Sequence, residues 1–297
     1  MKTVCVIPLY NHARTVLKVA AGAKTYLEDV LIIDDGSTDL PEDFESSAAS
    51  IGVSVLRHAR NRGKGAAIKT AAAALSRSGA DYMIVMDADG QHDPADLPKF
   101  IASVNADPAC IAVGCRDFSS PDIPASSRFG RNFSNFWCRL ETGVRCDDTQ
   151  SGFRAYPVNA LRKLHLFCDR YNFEIEAFVR LLWAGFRLVE IPISVSYRDR
   201  VTHFDQWRDN VRLSLLHTCL VLRRILPIPH KRLAPGDPER TDWRILLHPL
   251  RFCRALLEEN ADPPGLAASA AVGTYFAVLP LIGVHMAVIL YLCIRLK

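Results

Sequence analysis

No two cysteines of this chain stand in a Cys-x-x-Cys pair, although there are nine of them. That absence removes the common zinc-ribbon and dithiol-redox spacings, and the odd count argues against a closed disulfide framework. Cys5, Cys110 and Cys115 lie inside apolar runs and read as reduced, buried thiols of a cytosolic domain. The first apolar run is broken at Pro8, too soon for a signal-peptide core, so no secretory leader is expected here. The N-terminus is therefore expected in the cytosol. No internal repeat is visible. No glycine-rich phosphate loop follows the first apolar run, where Pro8-Leu9-Tyr10-Asn11-His12 stands instead. This argues against a nucleotidyltransferase that makes sugar nucleotides. Finally, residues 265–294 hold no Asp, Glu, Lys or Arg.

What is present is apolar for an enzyme: 49% of the 297 residues are hydrophobic, with a mean hydropathy of +0.07. Some apolar segment is then expected to face something other than a protein core. Residues 208–254 hold ten Lys and Arg against four acids, whereas the whole chain has a net charge of only +4. A basic stretch directly before an uncharged apolar run favours an anionic membrane surface at the cytoplasmic face over nucleic acid. As a helix the thirty uncharged residues would reach roughly 45 Å, against ~30 Å of hydrocarbon, and Pro280 and Gly283 are placed to break it in two. A buried pair of core helices is the alternative. Pro227, Pro229, Pro235, Gly236 and Pro238 mark a linker. The expected organisation is a catalytic domain at 1–230, a basic juxtamembrane linker and helix at 231–264, and a membrane-associated helical tail at 265–297.

Short β-rich runs alternate with alanine-rich stretches, the pattern of an α/β fold with a mostly parallel sheet flanked by helices. The expected strands are 4–7, 30–34, 53–57, 82–87, 111–114 and 188–191, with helices over 65–75, 173–184 and 210–226.

The chemistry gathers where apolar strands run out into acids. In Val85-Met86-Asp87-Ala88-Asp89-Gly90-Gln91-His92, Asp87 and Asp89 share one face of an extended chain. One can meet a ribose while the other holds a hard cation such as Mg²⁺ or Mn²⁺, and Gln91 adds a third oxygen on that face. An acidic turn after a strand is the plainer reading. Asp34-Asp35-Gly36-Ser37-Thr38-Asp39 repeats the device, as either a donor pocket or a capped strand-to-helix turn. Arg60-Asn61-Arg62-Gly63-Lys64-Gly65 puts cations beside the start of a helix, an anion site.

Taken in order, Val6-Ile-Pro8-Leu-Tyr10-Asn11, Ile33-Asp34-Asp35-Gly36-Ser37, Asn61-Arg-Gly63-Lys64-Gly65, Asp87-Ala-Asp89-Gly-Gln91-His92 and Gly114-Cys-Arg116 resemble the motifs of glycosyltransferase family 2. The likeness is to its dolichol- or polyprenyl-phosphate mannose synthase-like branch. Asp148-Thr-Gln150-Ser151-Gly152-Phe153-Arg154 and Phe173-Glu174-Ile-Glu176 continue it over residues 2–207, and the tail from about His248 resembles a shortened membrane-type domain. The resemblance implies a GT-A fold, a nucleoside diphosphate sugar (GDP- or UDP-linked), a divalent cation, inversion at the anomeric carbon and a lipid-linked acceptor such as a polyprenyl phosphate. The basic stretch and the uncharged apolar run then set the expected work at the cytoplasmic face of the cell membrane, in cell-envelope chemistry. Pro8, Tyr10, Asn11, Asp34 and Asp35 match donor-pocket positions, with Lys64 beside them. Asp87 and Asp89 match the Asp-x-Asp pair, Gln91 the extra metal ligand, and Arg116 and Arg131 diphosphate or sugar contacts. The chain departs from the pattern at His12, and at Arg198, Arg200 and Thr202-His203-Phe204.

A lipid phosphate needs no general base, because its attacking oxygen is already anionic. A hydroxyl acceptor would need one, and Asp148 or Glu174 is then the candidate, either of which can instead be structural. His92 and His203 read as loop hydrogen-bonders, and His285 as a packing residue. A catalytically silent membrane-anchored binding protein is the reading from another class, and the intact acids at 34, 35, 87 and 89 argue against it.

Overall fold

The computed structural model describes residues 1–117, 125–195, 206–225 and 230–236. The chain divides into two compact units, 1–241 and 242–297, and the second, which includes the apolar run 265–294, lies outside the described residues. So do Arg198, Arg200, His203 and most of the linker. Among the described residues no helix is long and apolar enough to cross a membrane.

Seven strands are described: β1 (Thr3–Leu9), β2 (Val30–Asp34), β3 (Ser54–Arg57), β4 (Tyr82–Val85), β5 (Cys110–Arg116), β6 (Arg154–Pro157) and β7 (Arg187–Ile193). They form one sheet in the order β3-β2-β1-β4-β6-β5-β7. All neighbours run parallel except β6, which is antiparallel to both β4 and β5. The inner strands are buried on both sides, as in parallel sheets, while the edge strands β3 and β7 are largely exposed. Val4, Val6, Leu31, Ile33, Met83 and Val85 face one core. Cys5, Ile7, Leu9, Ile32, Tyr82 and Ile84 face the other. This period of two is why β1 and β2 read as nearly continuous apolar runs.

The helices are α1 (Ala13–Lys24), α2 (Phe44–Ser50), α3 (Lys64–Arg77), α4 (Leu97–Ala106), α5 (Ala125–Thr142), α6 (Val158–Lys163), α7 (Phe173–Trp183) and α8 (Gln206–Ile225). In α3 the buried Ala67, Ala71 and Ala72 surround Ile68 and Leu75, and small side chains let the helix axis approach the sheet. Its start is tighter still. A Cβ on Gly65 would lie 2.8 Å from Cγ of Phe173 and 2.9 Å from the backbone carbon of Asp169. Only glycine lets the beginning of α3 meet the beginning of α7.

The six expected strands are all present. The one over 82–87 stops pairing at Val85, so Asp87 stands beyond its end. β6 was not legible: it is four residues long, begins with arginine, ends with proline and has no alternation. Arg154 is buried there because its guanidinium donates to the carbonyls of Ser151 (2.6 Å), Glu174 (2.7 Å) and Thr149 (2.5 Å). α8 begins four residues before the expected Asn210, with Asp209 in its first turn, where an acid complements the helix dipole. The ladder pairs Leu9 with Asp34, Asp34 with Arg57 and Val6 with Val85. The carboxyl ends of the first four strands therefore share one edge, where open α/β sheets bind ligands.

Candidate active site

At that edge lies a cavity of about 480 Å³ whose wall includes Pro8, Tyr10, His12, Asp35, Lys64, Asp87, Asp89, Gln91, Arg170 and Tyr171. Asp35, at the end of β2, organises one side. Its Oδ1 accepts the Arg62 N–H (2.9 Å) and lies 2.7 Å from Nδ1 of His58, while Oδ2 accepts the Gly63 N–H (2.7 Å). One buried carboxylate thus ties β2 to the loop that opens α3. That loop is confined from outside as well: a Cβ on Gly63 would meet Cγ of Arg170 at 2.8 Å, and the Ala66 N–H donates to the Asp169 carbonyl (2.9 Å).

Lys64, the first residue of α3, reaches across the cavity. Its ammonium pairs with Asp87 and lies 2.7 Å from Oε1 of Glu174. Burial alone would lower the Lys64 pKa, but the two carboxylates outweigh it and hold the pKa well above its ordinary value. Burial likewise opposes ionisation of Asp87, and Lys64, His92 and Arg116 overcome it, so the carboxyl stays below its usual range. Behind the pair sits Gly152. A Cβ there would strike the Asp87 carboxylate and come within 2.7 Å of the Lys64 ammonium. Asp89 turns back on its own loop, accepting the Gln91 N–H (2.9 Å), and Thr15 anchors that loop by donating to the Ala88 carbonyl (2.6 Å).

The structure brings Pro8, Tyr10, Asp35, Lys64, Asp87, Asp89 and Gln91 to one wall. The other sequence candidates stand behind it or apart from it. Asp34 is fully buried, accepting the Ser37 N–H (2.8 Å) and pairing with Arg57 (2.9 Å), which is the capped-turn arrangement. Asn11, with φ at +53°, accepts the Thr38 N–H (2.9 Å) and donates its own N–H to Oγ of Ser37 (3.0 Å). It joins the ends of β1 and β2. Asp148 is buried and held by both Nε (2.6 Å) and Nη2 (2.9 Å) of Arg116. Glu174 touches the site through Lys64, and Arg131 is on α5. His92 is buried beside Phe153, with ring centroids 5.1 Å apart; burial lowers its pKa against the pull of Asp87 and Asp89.

Sequence reasoning missed His58, Arg170 and Tyr171. Arg170 and Tyr171 sit in a loop without periodicity and reach the wall only because Gly63 and Gly65 let that loop close on α3. Among the described residues no cluster of three His, Cys, Asp or Glu side chains is placed to hold a metal by itself. Asp87, Asp89 and Gln91 offer oxygens only, a set that fits a hard cation taking its remaining ligands from a substrate's phosphates.

Residues 4–165 match the family model described as glycosyl transferase family 2. The undecaprenyl-phosphate mannosyltransferase of Micrococcus luteus is 27% identical over 67% of this chain and 85% of its own. The UDP-N-acetylglucosamine–dolichyl-phosphate N-acetylglucosaminyltransferase of Methanococcus voltae is 28% identical over 65% of this chain and 85% of its own. Among solved structures, the glucosyl-3-phosphoglycerate synthase of Mycobacterium tuberculosis, in complex with Mn²⁺, UDP-glucose and phosphoglyceric acid, superposes with a TM-score of 0.54. It is 20% identical and covers 75% of this chain and 79% of that one, a likeness of fold that makes the sheet GT-A-like.

Proposed function

The chain belongs to glycosyltransferase family 2 and is a glycosyltransferase, and from that premise we propose that it moves a sugar, with inversion, from a cation-bound nucleoside diphosphate sugar to a membrane lipid phosphate. The observation that carries the reading is the convergence of Asp87, Asp89, Gln91 and Lys64 on one cavity at the carboxyl edge of the sheet.

The donor's diphosphate lies, in this reading, between the Asp87–Asp89 acids and the start of α3. Mg²⁺ or Mn²⁺ held by Asp87, Asp89 and Gln91 would supply positive charge against the departing nucleoside diphosphate. The Mn²⁺ and UDP-glucose in the structural neighbour support this use of the site. Lys64 adds a fixed cation beside the backbone N–H groups of a helix N-terminus, which favour phosphate. Glu174 keeps that ammonium in place, and Gly152 leaves room for Asp87 and Lys64 to lie side by side. Asp35 fixes the loop that carries Lys64, and Pro8 and Tyr10 form the wall next to it.

The acceptor follows from what the carboxylates are doing. Asp148 is locked to Arg116 on both oxygens, Glu174 is paired with Lys64, and Asp35 is occupied by His58 and two backbone N–H groups. With those acids engaged, an acceptor that brings its own anionic oxygen fits better than a hydroxyl that must lose a proton. The Micrococcus and Methanococcus relatives, both named for polyprenyl- or dolichyl-phosphate acceptors, support a lipid phosphate. Such an acceptor also sets the work at a membrane, with the cytoplasmic face as the proposed side. The test is a panel of GDP- and UDP-sugars incubated with membrane lipid extract and Mn²⁺. Labelled sugar should enter the lipid phase in an acid-labile linkage, and sugar appearing only in water-soluble or acid-stable products would refute the acceptor.

A further inference from the structure

Two lysine or arginine side chains stand on the cavity wall among the described residues, Lys64 and Arg170, and their surroundings differ. The Lys64 ammonium is already shared by Asp87 and Glu174. The Arg170 guanidinium has no carboxylate, hydrogen-bond or ring partner among the described residues. Its stem lies over Gly63, with Cγ 2.8 Å from where a Cβ on that glycine would stand, so the side chain starts beside the residue that precedes Lys64 and opens α3. Arg116, the expected diphosphate contact, is not among the residues of that wall. Its Nε and Nη2 are both engaged by Asp148.

The backbone that carries Arg170 is tied from two sides. On α3, the Lys69 ammonium donates to the Leu166 carbonyl (3.2 Å) and pairs with Asp169 (2.5 Å), and the Ala66 N–H donates to the Asp169 carbonyl (2.9 Å). On α7, Oε2 of Glu176 accepts the Phe167 and Cys168 N–H groups (2.9 and 2.8 Å), while Arg180 holds its Oε1 (2.9 Å). The Phe173 N–H donates to the carbonyl of Arg170 itself (3.0 Å). The base of the side chain is thus fixed and its charged end is left unengaged. A guanidinium offers planar, paired N–H donors that match two oxygens of a phosphate. The charge of the wall selects that ligand: Asp35, Asp87 and Asp89 outnumber Lys64 and Arg170, and Glu174 behind Lys64 adds a fourth acid. An anionic diphosphate entering beside these acids needs a cation that is not already paired, and among the described wall residues Arg170 is that cation.

We infer that Arg170 binds the diphosphate of the nucleotide-sugar donor, in the role expected for Arg116. This rests on the proposed nucleoside diphosphate sugar and names the side chain of this chain that meets its phosphates.

The full chain and Arg170→Gln are titrated with GDP and UDP in saturating Mn²⁺, and with guanosine and uridine by competition against the diphosphate that binds. Arg170 is exposed, so the urea midpoint of the variant should match the wild type. Arg170→Gln should weaken the diphosphate by about ten- to a hundredfold, the range of a charge-assisted hydrogen bond, and leave the matching nucleoside unchanged. Arg170→Lys, which keeps the charge without the fork, should fall between the two. An equal loss for diphosphate and nucleoside would overturn the inference and move Arg170 to the base. Transfer of sugar to lipid phosphate is scored separately. Wild-type transfer with an unchanged diphosphate affinity in Arg170→Gln removes this contact and keeps the reaction, whereas an Arg170-dependent diphosphate affinity without transfer to lipid keeps the contact and removes the acceptor. A wild type that binds neither diphosphate overturns both.

Discussion

Replacing Asp35 by alanine separates a donor contact from a scaffold. The carboxylate is 2% exposed and holds three partners on two oxygens: the Arg62 N–H, the Gly63 N–H and the His58 ring. Alanine leaves all three without that acceptor, and each orphaned buried donor costs about 1–3 kcal/mol. Relaxation and water entry recover part of this, which brings the expected loss to about 3–5 kcal/mol. With a urea slope near 3 kcal/mol/M for a unit of this size, the midpoint should fall by about 1–1.7 M. Because the same bonds fix the loop before Lys64, donor affinity should fall together with stability. Asp35→Asn, which keeps an acceptor, should fall between the two. Urea unfolding followed by circular dichroism, with donor titration on the same samples, reads both effects. A variant that unfolds at the wild-type midpoint but has lost donor affinity would refute the scaffold argument and return Asp35 to a ligand contact alone.

Asp89→Ala should abolish transfer with little change in unfolding midpoint, since a partly exposed loop acid contributes little to stability; chelation should do the same, Mn²⁺ or Mg²⁺ should reverse it, and full activity in excess chelator would exclude the cation. Gly152→Ala places a Cβ against the Asp87 carboxylate and the Lys64 ammonium, which are side-chain ends and not backbone, so the paired groups are displaced. It should therefore spare the fold and weaken cation binding by about ten- to a hundredfold, as measured by Mn²⁺ titration. His230 stacks on Trp183 with centroids 4.2 Å apart, and burial, aided by Arg223 and Arg232, pushes its pKa down to about 3 from 6.5. The folded chain therefore binds fewer protons than the unfolded one between those values. Stability present above about pH 6.5 should be lost as pH falls toward 3, and His230→Phe, which keeps the stack, should make that loss shallower in thermal melts against pH.

The strands that carry the site were legible because a parallel sheet buried on both faces writes itself as apolar runs, and because Asp34, Asp35, Asp87 and Asp89 stand where those runs end. What the sequence left open was the division of labour among the acids. Asp34 and Asp35 are neighbours, yet chain alternation sends one into the Ser37 turn and the other to the cavity wall. Asp148 and Arg116 are 32 residues apart, and only the closing of β5 on the antiparallel β6 brings them together. That antiparallel strand was invisible because Arg154 is stabilised by carbonyls and not by its neighbours in sequence. The 170–171 loop reached the site through two glycines whose close contacts leave no pattern along the chain.

The most direct measurement of the central claim compares two acceptors that differ in one group. Polyprenyl phosphate and the corresponding free polyprenol, in the same detergent micelles, are each offered the preferred nucleotide sugar with Mn²⁺. If the engaged carboxylates leave no base for a hydroxyl, label passes to the phosphate and none above background to the alcohol, and Asp148→Asn does not change that preference. Equal or faster transfer to the alcohol, abolished by Asp148→Asn, would contradict the account and make Asp148 the base of a different reaction.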